Sequence, residues 1–256
     1  MNIELKSKAD IEKMRRSNMI VFEVLQALSE LVRPGISTKD LDRLARELTE
    51  KKGAKPAFLG YPSSSRDVGP FPGVICASKN DEIVHGIPND IPFKEGDIIS
   101  IDFGCICEDF YGDSATTLPV GKIADKAAEL LSVTKQSLED AIGQCYAGNR
   151  IGDISHAVQT RVEAHGFGVI REFVGHGIGR AMHEPPHVPN FGKPGQGRVL
   201  KPGLVIAIEP MVAIGAYDTK ILDDGWTAVT RDGSLAAHFE HTVAITEGEP
   251  YVLSRP

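Results

Sequence analysis

The 256-residue sequence predicts an α+β fold made of two half-domains of similar topology. Two observations carry this reading. Helical and strand-like segments occur in groups rather than in strict alternation, which disfavours a doubly wound α/β sheet. A set of motifs also recurs once, in the same order, in the second half of the chain, the mark of an internal repeat.

The elements follow in order. Residues 7–32 read as an amphipathic helix, with Ile11, Met14, Val21, Leu25, Leu28 and Val32 at helical spacing. Ser7 and Asp10 form a capping box at its start, and Pro34-Gly35 ends it. A second helix runs from about Ser37 to Lys52, places Leu41, Leu44, Ala45 and Leu48 on one face, and stops at Gly53. Residues 60–73 are rich in Pro, Ser and Gly and form a loop. Segments 74–78, 98–103 and 108–118 read as strands, the last two as a hairpin. Helices return at about 125–146 and 152–165, and strand-like runs follow at 169–174, 204–209, 226–230 and 239–246.

The repeat sets the domain plan. Gly35, Asp40, Leu41, Glu50 and Gly53 recur 113 residues later as Gly148, Asp153, Ile154, Glu163 and Gly166. KEGDIISID (94–102) parallels KPGLVIAIE (201–209), and His85-Gly86-Ile87 parallels His176-Gly177-Ile178. Each match alone is weak, and their shared order is the evidence. One catalytic domain is expected over 1–256, with half-domains of about 7–118 and 125–250 joined near Pro119–Ala124.

Composition excludes several classes. A formal net charge of −7 and the lack of any basic stripe argue against a nucleic-acid surface. Arg15-Arg16 and Lys51-Lys52 read as solvated helix positions. The N-terminal MNIELKSKADIEKM has no apolar core of a secretory signal, and no run approaches the ~18 apolar residues of a membrane span. Cys76, Cys105, Cys107 and Cys145 form no CxxC pair, so they read as reduced thiols of a cytoplasmic protein.

The chemistry begins with acids in apolar strands. If the halves pack about a pseudo-twofold, Asp102 and Glu209 are equivalent, each at the end of a nearly continuous apolar strand. Buried carboxylates need a cation between them, and no lysine or arginine adjoins either one. Asp113 can face Asp102 across the hairpin. Either aspartate alone is satisfied by a turn or surface role; the pair leans towards metal. In VGHGIGRAMHEPPHVPNFG, glycines flank His176, and His183 and His187 follow. Pro185 and Pro186 exclude a helix there, so this is no HExxH zinc site. Glu240 sits in an apolar strand, with His241 expected on the opposite face. The candidate ligands are Asp102, Asp113, His176, Glu209 and Glu240. Five are too many for one catalytic zinc and suit two divalent ions. Oxygen-rich ligands without thiolate favour Mn²⁺, Fe²⁺ or Co²⁺.

NDEIVHGIP, IDFG, YGDSATT, VGHGIGRAMHEPPHVPNFG, IAIEPM, DGWTAVT and FEHTVAIT together resemble the motifs of type I methionine aminopeptidases, from the first helix to about residue 246. The resemblance implies the pita-bread α+β fold with its internal pseudo-twofold. It implies removal of the N-terminal methionine by hydrolysis of the first peptide bond. Two divalent ions (Co, Mn, Fe or Zn) would be bridged by Asp113 and Glu240, with Asp102 on one ion and His176 and Glu209 on the other. His85 and His183 would contact substrate, and Tyr61, Phe71, Cys76, Met182 and Trp226 would line the methionine pocket. Glu209 would shuttle the proton, His183 would hydrogen-bond the oxyanion or leaving amide, and His85 would position it. The expected partner is the N-terminal methionine of nascent polypeptides, met in the cytoplasm and at the ribosome by a monomer that binds neither nucleic acid nor membrane.

The chain departs from the common pattern in two places. PSSSRDVGP makes the loop between Tyr61 and Phe71 longer than usual, and His238 stands where Gln is frequent. It carries neither a zinc-finger extension nor the type II insertion, so the short, bacterial-like form is expected. Two rivals keep weight. Prolidase and aminopeptidase P resemble this fold and metal set but carry an extra N-terminal domain, whereas about ten residues precede the first helix here. A non-catalytic pita-bread binding protein would tend to lose ligands, and all five are present.

Overall fold

Alternation along the central strands gives one sheet an apolar face and a polar face, and the helices cover the apolar one. The structure, a computed structural model, describes residues 3–63, 65 and 67–256. Its helices are α1 (Lys8–Leu31), α2 (Thr38–Lys51), α3 (Asp125–Ile142) and α4 (Ile151–Glu163). The strands that build the site are β1 (Cys76–Lys79), β2 (Ile98–Cys107), β3 (Phe110–Pro119), β4 (Gly175–Gly177), β5 (Glu184–Val188), β6 (Val205–Ile208) and β7 (Glu240–Ala244). They join one nine-stranded sheet in the order β2-β3-β7-β6-β4-β5. The short strands Lys55–Pro56 and β1 share the outer edge of β2, and Tyr251–Val252 pairs with β7.

The repeat is visible in that order. β2 and β6 carry the two halves of the KEGDIISID/KPGLVIAIE match, and they flank the inner pair β3 and β7 symmetrically. Each half also supplies a helix pair. Val21, Val24, Leu28 of α1 and Leu41, Ala45 of α2 pack on Ile99, Ile101, Phe103 and Cys105. Leu130, Val133 and Leu138 of α3 and Ile154, Val158 and Val162 of α4 pack with Ile206, Ile208, Val243 and Ile245. Burying each large side chain contributes about 1.5–3 kcal/mol. Because side chains alternate, Asp102, Ala207, Glu240 and Thr242 fall on the face away from the helices.

Caps set the helix starts. Ser7 Oγ accepts from the Asp10 amide at 3.2 Å, and Asp10 Oδ2 accepts from the Ser7 amide at 3.1 Å. Ser37 and Asp40 repeat the arrangement. At α4, Asp153 accepts from the Arg150 amide at 2.7 Å. Asp40 and Asp153, matched in the repeat, thus do the same work.

Several boundaries move. The hairpin is longer than expected: β2 and β3 pair from Ile98↔Pro119 to Cys107↔Phe110. Glu108 and Asp109, at φ 50° and 64°, form its two-residue turn. Asp102 therefore sits mid-strand, not at a strand end. α3 stops at Ile142, where the chain turns at Gly143. Of 169–174 only Val169 is extended, in the strand Gly168–Val169; Ile170 donates to the Met211 carbonyl and the chain then bends towards His176. β4 and β5 carried no periodic signal, being three residues long and proline-bearing; β5 tolerates Pro185 and Pro186 because it is an edge strand. Arg15 is not solvated: it donates to the carbonyls of Val252 and Leu253 and ties down the C-terminus. No helix among the described residues is long and apolar enough to cross a membrane.

Candidate metal centre and adjoining pocket

The five acid and imidazole positions lie on one face of the sheet, in two neighbouring rows. Register pairs Asp102 with Ala115 and Ala115 with Glu240. Glu209 follows the last residue of β6, alongside β7. The next row pairs Gly104 with Asp113, then brings Thr242, Ala207 and His176. Thr242 Oγ1 donates to the Asp113 carbonyl at 2.8 Å and locks the two rows together. Asp102 and Asp113 are thus diagonal across the hairpin rather than directly opposite, since Asp113 faces Gly104. Small residues between the acids keep the space open. A Cβ on Gly104 would lie 2.7 Å from Met182 Cε and 3.2 Å from Asp113 Oδ1.

Charge makes this cluster costly without a cation. Burial pushes the Asp102 carboxyl up to about 8. Burial, then Asp102 and Glu209, pushes Asp113 well above the carboxylate range. Glu209 rises through burial and Asp102, and Glu240 through burial and the three other acids. Asp102 Oδ1, Asp113 Oδ1 and Glu240 Oε1 are buried without a hydrogen-bond partner among the described residues. Such orphaned acceptors are expensive unless a cation takes their lone pairs.

The donor set fits a divalent metal. Asp113, His176 and Glu240 each bring one ligand atom within 4.8 Å of the others. His176 Nε2 lies 3.8 Å from Asp113 Oδ2 and 3.5 Å from Glu209 Oε1, too far for good hydrogen bonds but suited to shared coordination. Its Nδ1 donates to the Gly177 carbonyl at 3.0 Å, which orients the ring and leaves the Nε2 lone pair facing the acids. Burial, then His183, depresses its pKa to about 3, so the imidazole is neutral and able to ligate. His241 points away, as expected, to Ser254 Oγ at 2.8 Å.

The pocket adjoins the acids. A cavity of about 170 Å³ is lined by all twelve residues singled out from the sequence for metal, substrate or catalysis, and also by Phe58. The space is small beside the ~300–1,000 Å³ of drug-sized sites and takes about one amino-acid residue. Phe71 meets Trp226 edge to face at 5.2 Å, and His85 sits edge-on to Trp226 at 6.4 Å and to Phe173 at 5.5 Å. Trp226 Nε1 donates to the Gly69 carbonyl at 3.1 Å, so the long 62–70 loop holds the indole wall. Ser64 and Arg66 of that loop lie outside the described residues. Cys76 pairs with Asp102 in the ladder, and burial, then Asp102, raises its thiol well above the usual range, leaving it an inert wall.

His85 adopts φ 61°, a strained backbone for a non-glycine residue. Its turn is fixed by the next residue, because a Cβ on Gly86 would meet the Ala77 carbonyl oxygen at 2.4 Å. His183 is exposed at the mouth, with Nδ1 2.6 Å from the Tyr61 hydroxyl.

Sequence reasoning missed Phe58 and Lys6, and marked His238 only as a departure from the common pattern. Phe58 lines the cavity with no periodic signal to mark it. His238 is buried, with Nε2 unpartnered and 3.7 Å from Glu209 Oε2. Lys6, with its side chain 1 % exposed, bonds Glu184 at 2.8 Å. Glu184 also accepts from the Arg180 and Ala181 amides, closing the turn that presents Met182 and His183. A lysine in a polar leader carries no sign of burial.

Comparison with known proteins agrees with this geometry. The model of metallopeptidase family M24 matches residues 12–247. The chain is 48 % identical over 252 residues to the methionine aminopeptidase of Clostridium perfringens, covering 98 % of each. It superposes on the crystal structure of a methionine aminopeptidase from Thermotoga maritima with a TM-score of 0.95 at 44 % identity, covering 100 % of each chain. A prolidase from Pyrococcus furiosus gives a TM-score of 0.79 at 21 % identity, covering 98 % of this chain and 65 % of that one, a likeness of fold alone.

Proposed function

Since the chain belongs to metallopeptidase family M24 and, within it, to the methionine aminopeptidases, we propose that it removes N-terminal methionine by hydrolysing the first peptide bond at a two-metal site. The carrying observation is the junction of four buried acids and one neutral imidazole with a one-residue pocket walled by Phe58, Phe71, Met182 and Trp226. A flexible thioether suits such aromatic and thioether walls. Four carboxylates over-neutralise one dication and balance two, which supports the dinuclear reading. Asp113 and Glu240, central in the two rows, would hold the ions together with Asp102, His176 and Glu209.

Bound divalent ions, of the Co, Mn, Fe or Zn class, supply Lewis-acid activation of the carbonyl and of water at neutral pH. The protein does the rest. Glu209 takes the proton of the attacking water and passes it to the leaving nitrogen as the C–N bond breaks. With the Tyr61 hydroxyl as donor to His183 Nδ1, 2.6 Å away, the Nε2 proton is left to meet the developing oxyanion or the leaving amide. His85, neutral because burial and His183 lower its pKa to about 4, holds the substrate amide from the pocket side. The half-domains 7–118 and 125–250 each contribute ligands, so neither forms a site alone. We read the substrate as nascent chains, met in the cytoplasm and near the ribosome by a monomer.

The test is the metal-loaded protein assayed on Met-Ala-Ser, Leu-Ala-Ser and X-Pro peptides, before and after chelation. Release of methionine from the first peptide alone, abolished by chelator, is expected. Preferential cleavage of X-Pro would move the protein to the prolidase side of the family.

A further inference from the structure

A second, larger groove adjoins the catalytic cavity and is used by nothing described above. Its volume is about 790 Å³, and it shares His176 and His183 with the lining of the catalytic cavity, so the two meet at those side chains. One wall is β5, from Glu184 to Val188, the last strand of the nine-stranded sheet on that side. The other wall is Ile151 and Ser155 of α4 with the 191–198 loop. The lining is mainly apolar near the site, through Val174, Pro185, Pro189 and Phe191. It ends in the exposed side chains of Lys193 and Arg198, which make no ion pair among the described residues.

We infer that this groove binds the substrate polypeptide downstream of the cleaved bond, in extended form along the free edge of β5, with Lys193 and Arg198 favouring an acidic side chain at the far end. The inference rests on the aminopeptidase reading. The catalytic cavity takes one residue, so everything after the scissile bond must leave past His183, and this groove opens there. Pro185 and Pro186 lack amide donors, so they blunt the edge against pairing with another sheet. The pocket for methionine selects the first residue; the groove adds contact to the chain that follows without changing the chemistry.

The experiment compares kcat/KM of the metal-loaded protein for Met-Ala-Ser, a neutral octapeptide beginning Met-Ala-Ser, and the same octapeptide with two glutamates at its sixth and seventh positions. The wild type should prefer the neutral octapeptide to the tripeptide by about tenfold, through KM. The acidic octapeptide should gain about fivefold more, and lose that gain in high salt. The double variant Lys193→Glu/Arg198→Glu should keep wild-type kcat/KM on Met-Ala-Ser, keep the neutral length effect, and reverse the acidic preference. A tripeptide and neutral octapeptide cleaved equally well by the wild type would overturn the groove. So would an acidic preference untouched by the double variant. Failure to cleave any Met peptide would instead overturn the aminopeptidase reading, and the groove's role with it.

Discussion

Asp102→Asn should make the metal-free protein more stable at neutral pH, the reverse of most substitutions of a buried polar residue. The Asp102 carboxyl is pushed from 3.8 up to about 8 by burial. A raised carboxyl pKa means that the folded protein keeps a proton the unfolded chain has already released. The associated stability is fully present below about pH 4, falls as pH rises, and is lost by about pH 8. At 1.36 kcal/mol per unit, the loss between 3.8 and 7 is about 4 kcal/mol as a ceiling. Asparagine keeps the shape and removes the ionisation. It also removes the charge that raises Asp113, Glu209 and Glu240. The assay is urea denaturation of chelator-treated wild type and variant from pH 5 to 8, repeated with added Mn²⁺. Metal at 100 times its Kd should stabilise the wild type by about 2.7 kcal/mol and the variant much less. A metal-free variant no more stable than wild type at pH 7 would refute the reasoning. A metal-free wild type whose stability does not fall between pH 5 and 8 would do the same.

Three further outcomes are expected. Lys6→Met leaves the Glu184 carboxylate without its cation and should lower the unfolding free energy by about 3 kcal/mol, part of which Glu184→Gln restores in the double variant; denaturant midpoints decide it. Gly104→Ala pushes Met182 into the pocket, so KM for Met-Ala-Ser should rise while metal stoichiometry by calorimetry stays unchanged. His183→Ala should lower kcat by about 10²–10³, whereas Tyr61→Phe, which removes only the bond that orients the ring, should cost less than about tenfold; equal effects in steady-state assays would argue against the orienting role.

Much of this protein was legible in the chain because the signals are local. Helical spacing marked α1 and α2, and Ser7/Asp10 marked a cap found as expected. Glu209 and Glu240 stood out because an acid inside an apolar strand is costly wherever the strand ends up. Repeated motifs announced two similar halves before any packing was known. The family resemblance pointed to His85, His183 and the apolar residues that line the same cavity, which no periodicity could supply.

What only the tertiary structure decided was register and distance between remote segments. A strand's alternation says that Asp102 and Asp113 can share a face, but pairing decides that Asp113 meets Gly104 and that Ala115 stands between Asp102 and Glu240. β4 and β5 were invisible because three residues, or a pair of prolines, carry no period. Phe58, the Tyr61–His183 bond and the Lys6–Glu184 pair each join positions that only folding brings together. The candidate metal site was therefore written in the sequence as a set of acids too costly to bury alone. Its shape, and the groove beside it, were settled by which strands lie next to one another.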